Sequence, residues 1–281
     1  MPAPLRRDLP PRRDARGCQQ PGLAASARRI CFLAAAAVVL AWQRQAEGSD
    51  AFVNALHAAA SPSSSATPRP SEPDVLAAVL EAGRQRAQLN PQVGFYNKLV
   101  GDGVEGGKRW RLVYLATKNA VVAARKGVAP PSMLDRGWYV DGVVTAVQRF
   151  EDSPKRRMNQ NGVFGFLGLG GFFFGYFARF KWPAPAKRTT MAFEPIASDL
   201  HAFGQDWSFP SPTGPGPEGD KRFEEVRLQE SNIFNFFYVD EHVAVAQGAS
   251  GSVALWGATD PGWDAANLVT TGRERADGAG A

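Results

Sequence analysis

Alternation of apolar and polar positions is strongest from Ile233 to Trp256, IFNFFYVDEHVAVAQGASGSVALW. One apolar run ends at Val239 and breaks at Asp240-Glu241; a second covers His242–Ala246, a turn follows at Gly248-Ala249-Ser250-Gly251, and a third run covers Ser252–Trp256. This pattern predicts three short strands in meander order. A meander cannot bury its apolar side alone, so an earlier sheet or the closure of a barrel has to cover it. Function is then to be sought in what that closure encloses.

Earlier segments supply partners for the meander. Ser71-Glu72-Pro73-Asp74 has a capping-box arrangement with Pro in the first turn, and Val75, Leu76, Val79, Leu80 and Leu89 continue an apolar stripe to about Asn90. That predicts an amphipathic helix. Lys108–Thr117, preceded by Gly106-Gly107, reads as a strand with Trp110, Leu112 and Tyr114 on one face and Arg109, Arg111 and Val113 on the other. Asn119–Lys126 reads as a brief helix ending at Gly127, and Gly137–Phe150 as one long β-branched strand with a bulge or bend at Gly142. Glu151-Asp152-Ser153-Pro154 turns the chain into the basic cluster Lys155-Arg156-Arg157. Lys187–Ile196 is a further strand with Met191 and Phe193 in one phase. Pro210–Asp220 reads as a Pro/Gly-rich loop, and the tail from Pro261 is polar.

Gly162–Ala178, GVFGFLGLGGFFFGYFA, has no charge, and three readings compete for it. A membrane-spanning helix would be short and rich in glycines that cost about 1 kcal/mol each against alanine. An interfacial loop would dip its phenylalanines into lipid. Two strands joined near Gly170-Gly171 would provide aromatic walls with glycines at tight bends, and this pair is the favoured expectation.

Charge changes the picture only at the start of the chain. The net charge of +5 divides into +4 over residues 1–51 and +1 over residues 52–281, so the body offers no basic footprint for nucleic acid. Both cysteines, Cys18 and Cys31, lie in the same leader. His57, His201 and His242 fall in no HExxH or HxH spacing, and neither a P-loop nor GxSxG occurs, so no metal, cofactor or catalytic residue is expected. Asp240-Glu241 sit at a hairpin tip, where adjacent side chains point apart. Ile30–Trp42, after Arg28-Arg29, is thirteen uncharged residues, too short to span a bilayer and right for a signal-peptide core. FVNALHAAASPSSSATPRP, from Phe52 to Pro70, is Ala/Ser-rich and lacks acids, as transit peptides do. The expected organisation is a signal-peptide-like leader (1–51), a transit-peptide-like segment (52–70), one barrel domain (71–258) and a disordered tail (259–281).

Two stretches carry a resemblance. Tyr238-Val239-Asp240-Glu241 with the run to Gln247-Gly248 and Gly251–Trp256, together with the first-strand sequence GKRWRLVYLAT, resemble the plastid lipid-associated protein family, or fibrillins. The chain departs from the usual pattern in having Ala244 and Gln247 where basic residues are common. The leader resembles the bipartite presequence of algae with secondary plastids, which implies plastid localisation. The family resemblance implies a mainly β fold, a lipocalin-like antiparallel β-barrel with an N-terminal amphipathic helix. It also implies a non-catalytic protein that binds a lipophilic molecule (carotenoid, quinone or lipid) at thylakoid or plastoglobule membrane surfaces. The alternative is a structural or assembly protein of the thylakoid membrane or a photosynthetic complex. By strand phase and size, Trp110, Leu112, Tyr114, Phe166, Phe173, Phe237 and Trp256 are the expected ligand-binding wall residues.

Overall fold

The computed structural model describes residues 51–61, 68–85, 95–101, 107–141, 143–152, 157–166, 173–182, 189–211 and 216–263, with backbone only for 157–161 and 164–166. Ten strands form one antiparallel sheet: β1 (Lys108–Ala116), β2 (Gly137–Tyr139), β3 (Val144–Asp152), β4 (Arg157–Phe166), β5 (Phe173–Lys181), β6 (Thr190–Ala202), β7 (Gln205–Pro210), β8 (Asn232–Val239), β9 (Val243–Gly248) and β10 (Val253–Ala258). The order β1-β3-β4-β5-β6-β8-β9-β10 closes because β10 also pairs with β1, giving an eight-stranded lipocalin-like barrel. β2 extends the β1 edge, and β7 hangs on β6 alone.

The expected meander is present as β8, β9 and β10, and the aromatic-glycine segment forms the strand pair β4–β5, with Gly162 opposite Gly175 and Val163 opposite Phe174. Its junction at 167–172 lies outside the described residues, as does the expected end of the first helix, 86–90. Among the described residues no helix is long and apolar enough to cross a membrane. The single strand expected over Gly137–Phe150 is instead two, β2 and β3, both paired with β1. Between them Asp141 turns out to meet two arginines: Arg69 holds both its carboxylate oxygens at 2.8 and 2.6 Å, and the buried Arg111 of β1 donates to Oδ2 at 2.7 Å. An excursion anchored by two ion pairs replaces the simple bulge that Gly142 suggested.

Helices cover one side of the barrel from outside. α1 (51–60), α2 (Glu72–Gln85) and α4 (Lys118–Lys126) lie against the outward residues of β1, β8, β9 and β10. α2 begins as its capping box predicts: the Asp74 amide donates to Ser71 Oγ at 3.4 Å, and Val75, Leu76, Ala78, Val79 and Ala82 are buried. α4 is capped by the Thr117 side chain and ends at Gly127, whose φ of 66° is the left-handed conformation that glycine adopts without steric cost. The short α3 (Phe95–Val100) seats Phe95, Leu99 and Val100 in the cluster that fills the barrel base.

Two segments take on structure that their sequence reading did not include. Residues 52–70, expected as transit-peptide-like, contain α1, in which Phe52, Leu56, Ala59 and Ala60 are buried against the outer sheet. An Ala-rich stretch satisfies both descriptions, because small apolar residues suit a close-packed helix as well as a flexible address. The expected loop Pro210–Asp220 gives way at Pro217 to α5 (Pro217–Glu225), with Pro at a position where its missing amide costs nothing and Glu218 and Asp220 in the first turn. Lys181 on β5 holds this helix down: its ammonium donates to the carbonyls of Glu224 at 3.0 Å and Val226 at 2.6 Å, at the helix's negative end.

Candidate functional site

Inward-facing residues divide the barrel into a filled base and an open upper part. At the base Trp110 is fully buried, its indole donates to the Leu99 carbonyl at 2.8 Å, and the Lys108 ammonium lies 4.5 Å from its ring centroid. Trp182 and Phe236 stack at 5.4 Å, and Phe150 meets Phe180 edge-on at 6.0 Å. These rings leave the base packed as a protein core.

Above them the lining changes. Leu112, Leu115, Phe193 and Phe234 belong to the same inner cluster yet are only half-buried, so solvent still touches part of each residue. Phe193 and Phe234 stack at 4.9 Å, and Trp256 meets Phe234 at 5.7 Å. On β5 the even-numbered residues share the side of Phe180, which sets Ala178 and Tyr176 on the inner face. Burial raises the Tyr176 phenol to about 12, so it is a neutral hydroxyl at physiological pH. The upper barrel is thus an aromatic cup with a polar atom on its wall.

The seven expected wall residues separate accordingly. Trp110, Leu112 and Trp256 are brought together, with Leu112 directly opposite Trp256 in the β1–β10 ladder. Tyr114 is not with them. β1 carries one extra residue, Val113, between Leu112 and Tyr114, and this bulge reverses the phase. Tyr114 therefore lies on the outer face, donating its hydroxyl to the Glu72 carbonyl at 2.9 Å under α2. Phe237 is the extra residue of an equivalent bulge in β8 and likewise points outward, against Gly83 of α2. Phe173 is buried on the face opposite Phe180, its ring folded over Gly175. The Phe166 side chain lies outside the described residues. Phe234 and Phe236 were missed in favour of Phe237, although their spacing around Asn235 carried the inward phase; Phe193, Leu115 and Trp182 were missed as well.

A second recess lies outside the barrel. A cleft of about 670 Å³ runs between α2, α4 and the outer faces of β8 and β9; Leu80, Ala77 and Phe237 give it an apolar floor, and Arg84 and Arg125 stand on its rim.

The polar groups nearby are built for structure. Burial alone would raise the Asp240 carboxyl, but the amides of His242 and Val243 donate to it at 2.7 and 2.8 Å, His57 Nε2 lies at 2.6 Å and the Tyr238 hydroxyl at 2.9 Å, and together they hold it below the usual range. Glu241 points away to Lys98 at 3.2 Å, as expected for neighbours at a hairpin tip. Asp240 thereby fixes the β8–β9 turn and ties α1 to it. Among the described residues no group of three or more His, Cys, Asp or Glu side chains could hold a metal ion.

The chain has no match among protein-family models or curated protein sequences.

Proposed function

We propose that this protein binds a lipophilic molecule, without catalysis, in the upper cup of its barrel. The observation that carries this reading is the half-burial of Leu112, Leu115, Phe193 and Phe234, apolar residues of the inner cluster that solvent still touches in part. A solid barrel would close over such residues, as this one does at its base. Each methylene of a ligand transferred from water into the cup would contribute about 0.8 kcal/mol, and the neutral Tyr176 hydroxyl would orient one polar end. The ligand class is a carotenoid, quinone or lipid, taken up at a thylakoid or plastoglobule surface. That setting, and the fibrillin kinship behind it, rest on the first-strand and closing-strand resemblance and on the leader.

The test is extraction of the purified protein followed by mass spectrometry, paired with Ala254→Trp, which projects an indole into the cup beside Leu115. A stoichiometric lipophile in the parent and its loss in the folded variant are expected. A folded parent that is consistently empty, and that takes up no added carotenoid, quinone or fatty acid, would overturn the reading in favour of a scaffold protein.

A further inference from the structure

The β6–β7 hairpin leaves the barrel and carries its aromatic side chains into the open. Ala202 and Gln205 pair across a two-residue turn in which Phe203 (φ 53°) and Gly204 (φ 73°) both take the left-handed conformation. Phe203 is 98% exposed and is the non-glycine residue with positive φ among those described. Neither backbone preference nor packing among the described residues accounts for a phenyl group there.

The ladder extends this tip into a face. Val163, Phe174, Leu200 and Trp207 stand directly opposite one another across β4, β5, β6 and β7, and Phe209 lies beside Ser198 one row on. Phe174 has the phase of Phe180, so the row continues the inner wall of the barrel outward past the cup. Trp207 and Phe209 are 37% and 53% exposed. The opposite face is polar but satisfied: Asp206 pairs with His201, and the Ser208 hydroxyl donates to Asp199 at 2.6 Å. Residues 196–211 contain no Lys or Arg.

We propose that this hairpin is a docking element for an uncharged lipid surface, with Phe203, Trp207 and Phe209 entering the interfacial layer. The inference rests on the lipophile-binding reading, for which it supplies the route from the lipid layer into the cup. Two arguments choose the occupant. At about 200 Å² per ring the exposed surface of these three residues is on the order of 380 Å², below the roughly 800 Å² per partner of a stable protein interface. It is enough, on a projecting tip, for an interfacial anchor. The absence of cations removes the attraction that anionic lipids exert on basic segments, which leaves apolar insertion as the driving term.

The test uses the full chain with phosphatidylcholine vesicles, measuring partitioning and, by hydrogen–deuterium exchange, protection of residues 200–210. Expected are protection of that hairpin on vesicles, a drop of about tenfold in partitioning for Phe203→Ser, loss of hairpin protection in Phe203→Ser/Trp207→Ser/Phe209→Ser, and little response to salt or to added phosphatidylglycerol. Vesicle binding that leaves residues 200–210 unprotected would overturn the proposal, since another segment would then be the anchor. Binding that grows with phosphatidylglycerol and falls with salt would overturn it too, as would a dimer in solution that the triple variant dissolves, which would assign the face to a second copy. Uptake of a fluorescent fatty acid without vesicles reads the cup separately: its retention in the triple variant separates a failure of docking from a failure of lipophile binding.

Discussion

The two sides of the barrel are finished differently. Along β1, β10, β9 and β8 the outer face of the sheet is buried under α1, α2 and α4, so that Val113, Val243, Val245 and Leu255 are fully enclosed. Along the outer half of β6 and all of β7 no described helix packs, and every residue of β7 is exposed. The covered side follows the economics of a core, in which apolar residues are placed where neighbours already wait. The bare side spends aromatic residues where the chain offers them nothing. The difference teaches that, in the proposed reading, stability and membrane docking are carried by separate strands of one sheet.

That division is open to direct attack. The largest effect is expected from Phe236→Ala, which removes a ring stacked on Trp182 and touching Phe150 and Trp256; a loss of about 3–5 kcal/mol should appear as a lower urea midpoint. A midpoint unchanged by this deletion would mean that the base is not packed as described. Next comes Asp141→Ala, which strands the buried Arg111 and the guanidinium of Arg69 without their shared carboxylate, at a cost of about 3 kcal/mol in the same assay.

Asp240→Asn sharpens the comparison through pH. The folded carboxyl titrates below its unfolded value of about 3.9, so its contribution is complete above about pH 4 and is lost as the pH falls through the depressed folded value. The variant should be weaker than the parent by about 1–3 kcal/mol at pH 7 and should lose less stability on acidification to pH 3. Parallel acid profiles for the two proteins would remove Asp240 as the latch. The smallest effect belongs to the bare side: Trp207→Ser and Phe209→Ser should each shift thermal stability by no more than about 0.5 kcal/mol. A large loss there would make β7 part of the core after all.

What was legible in the sequence was whatever repeats. The closing strands were readable because alternation and turn residues agree over twenty residues, and α2 and α4 because their caps are spelled out by Ser71 and by Gly127. The candidate site was legible only in part, since strand phase is a cumulative property. One additional residue at Val113 and another at Phe237 turned Tyr114 and Phe237 outward, and neither residue type announces a bulge. β7 escaped because its turn, Phe203-Gly204, lacks the Asn-Gly or Asp-Gly signal of a hairpin, and α5 because Pro and Gly at its start look like loop until the acids of its first turn are counted.

α1 has a further consequence, for the maturation of the chain. A processing protease that trimmed the polypeptide to Ser71 would remove Phe52 and Leu56 from the outer sheet, take His57 from Asp240 and take Arg69 from Asp141. The product would be a different and weaker protein. Trimming that stopped before Phe52 would leave every one of those contacts in place. In such a molecule the finished N-terminus is chosen by the fold, and an address written into residues 52–70 would have to be read before folding hides it.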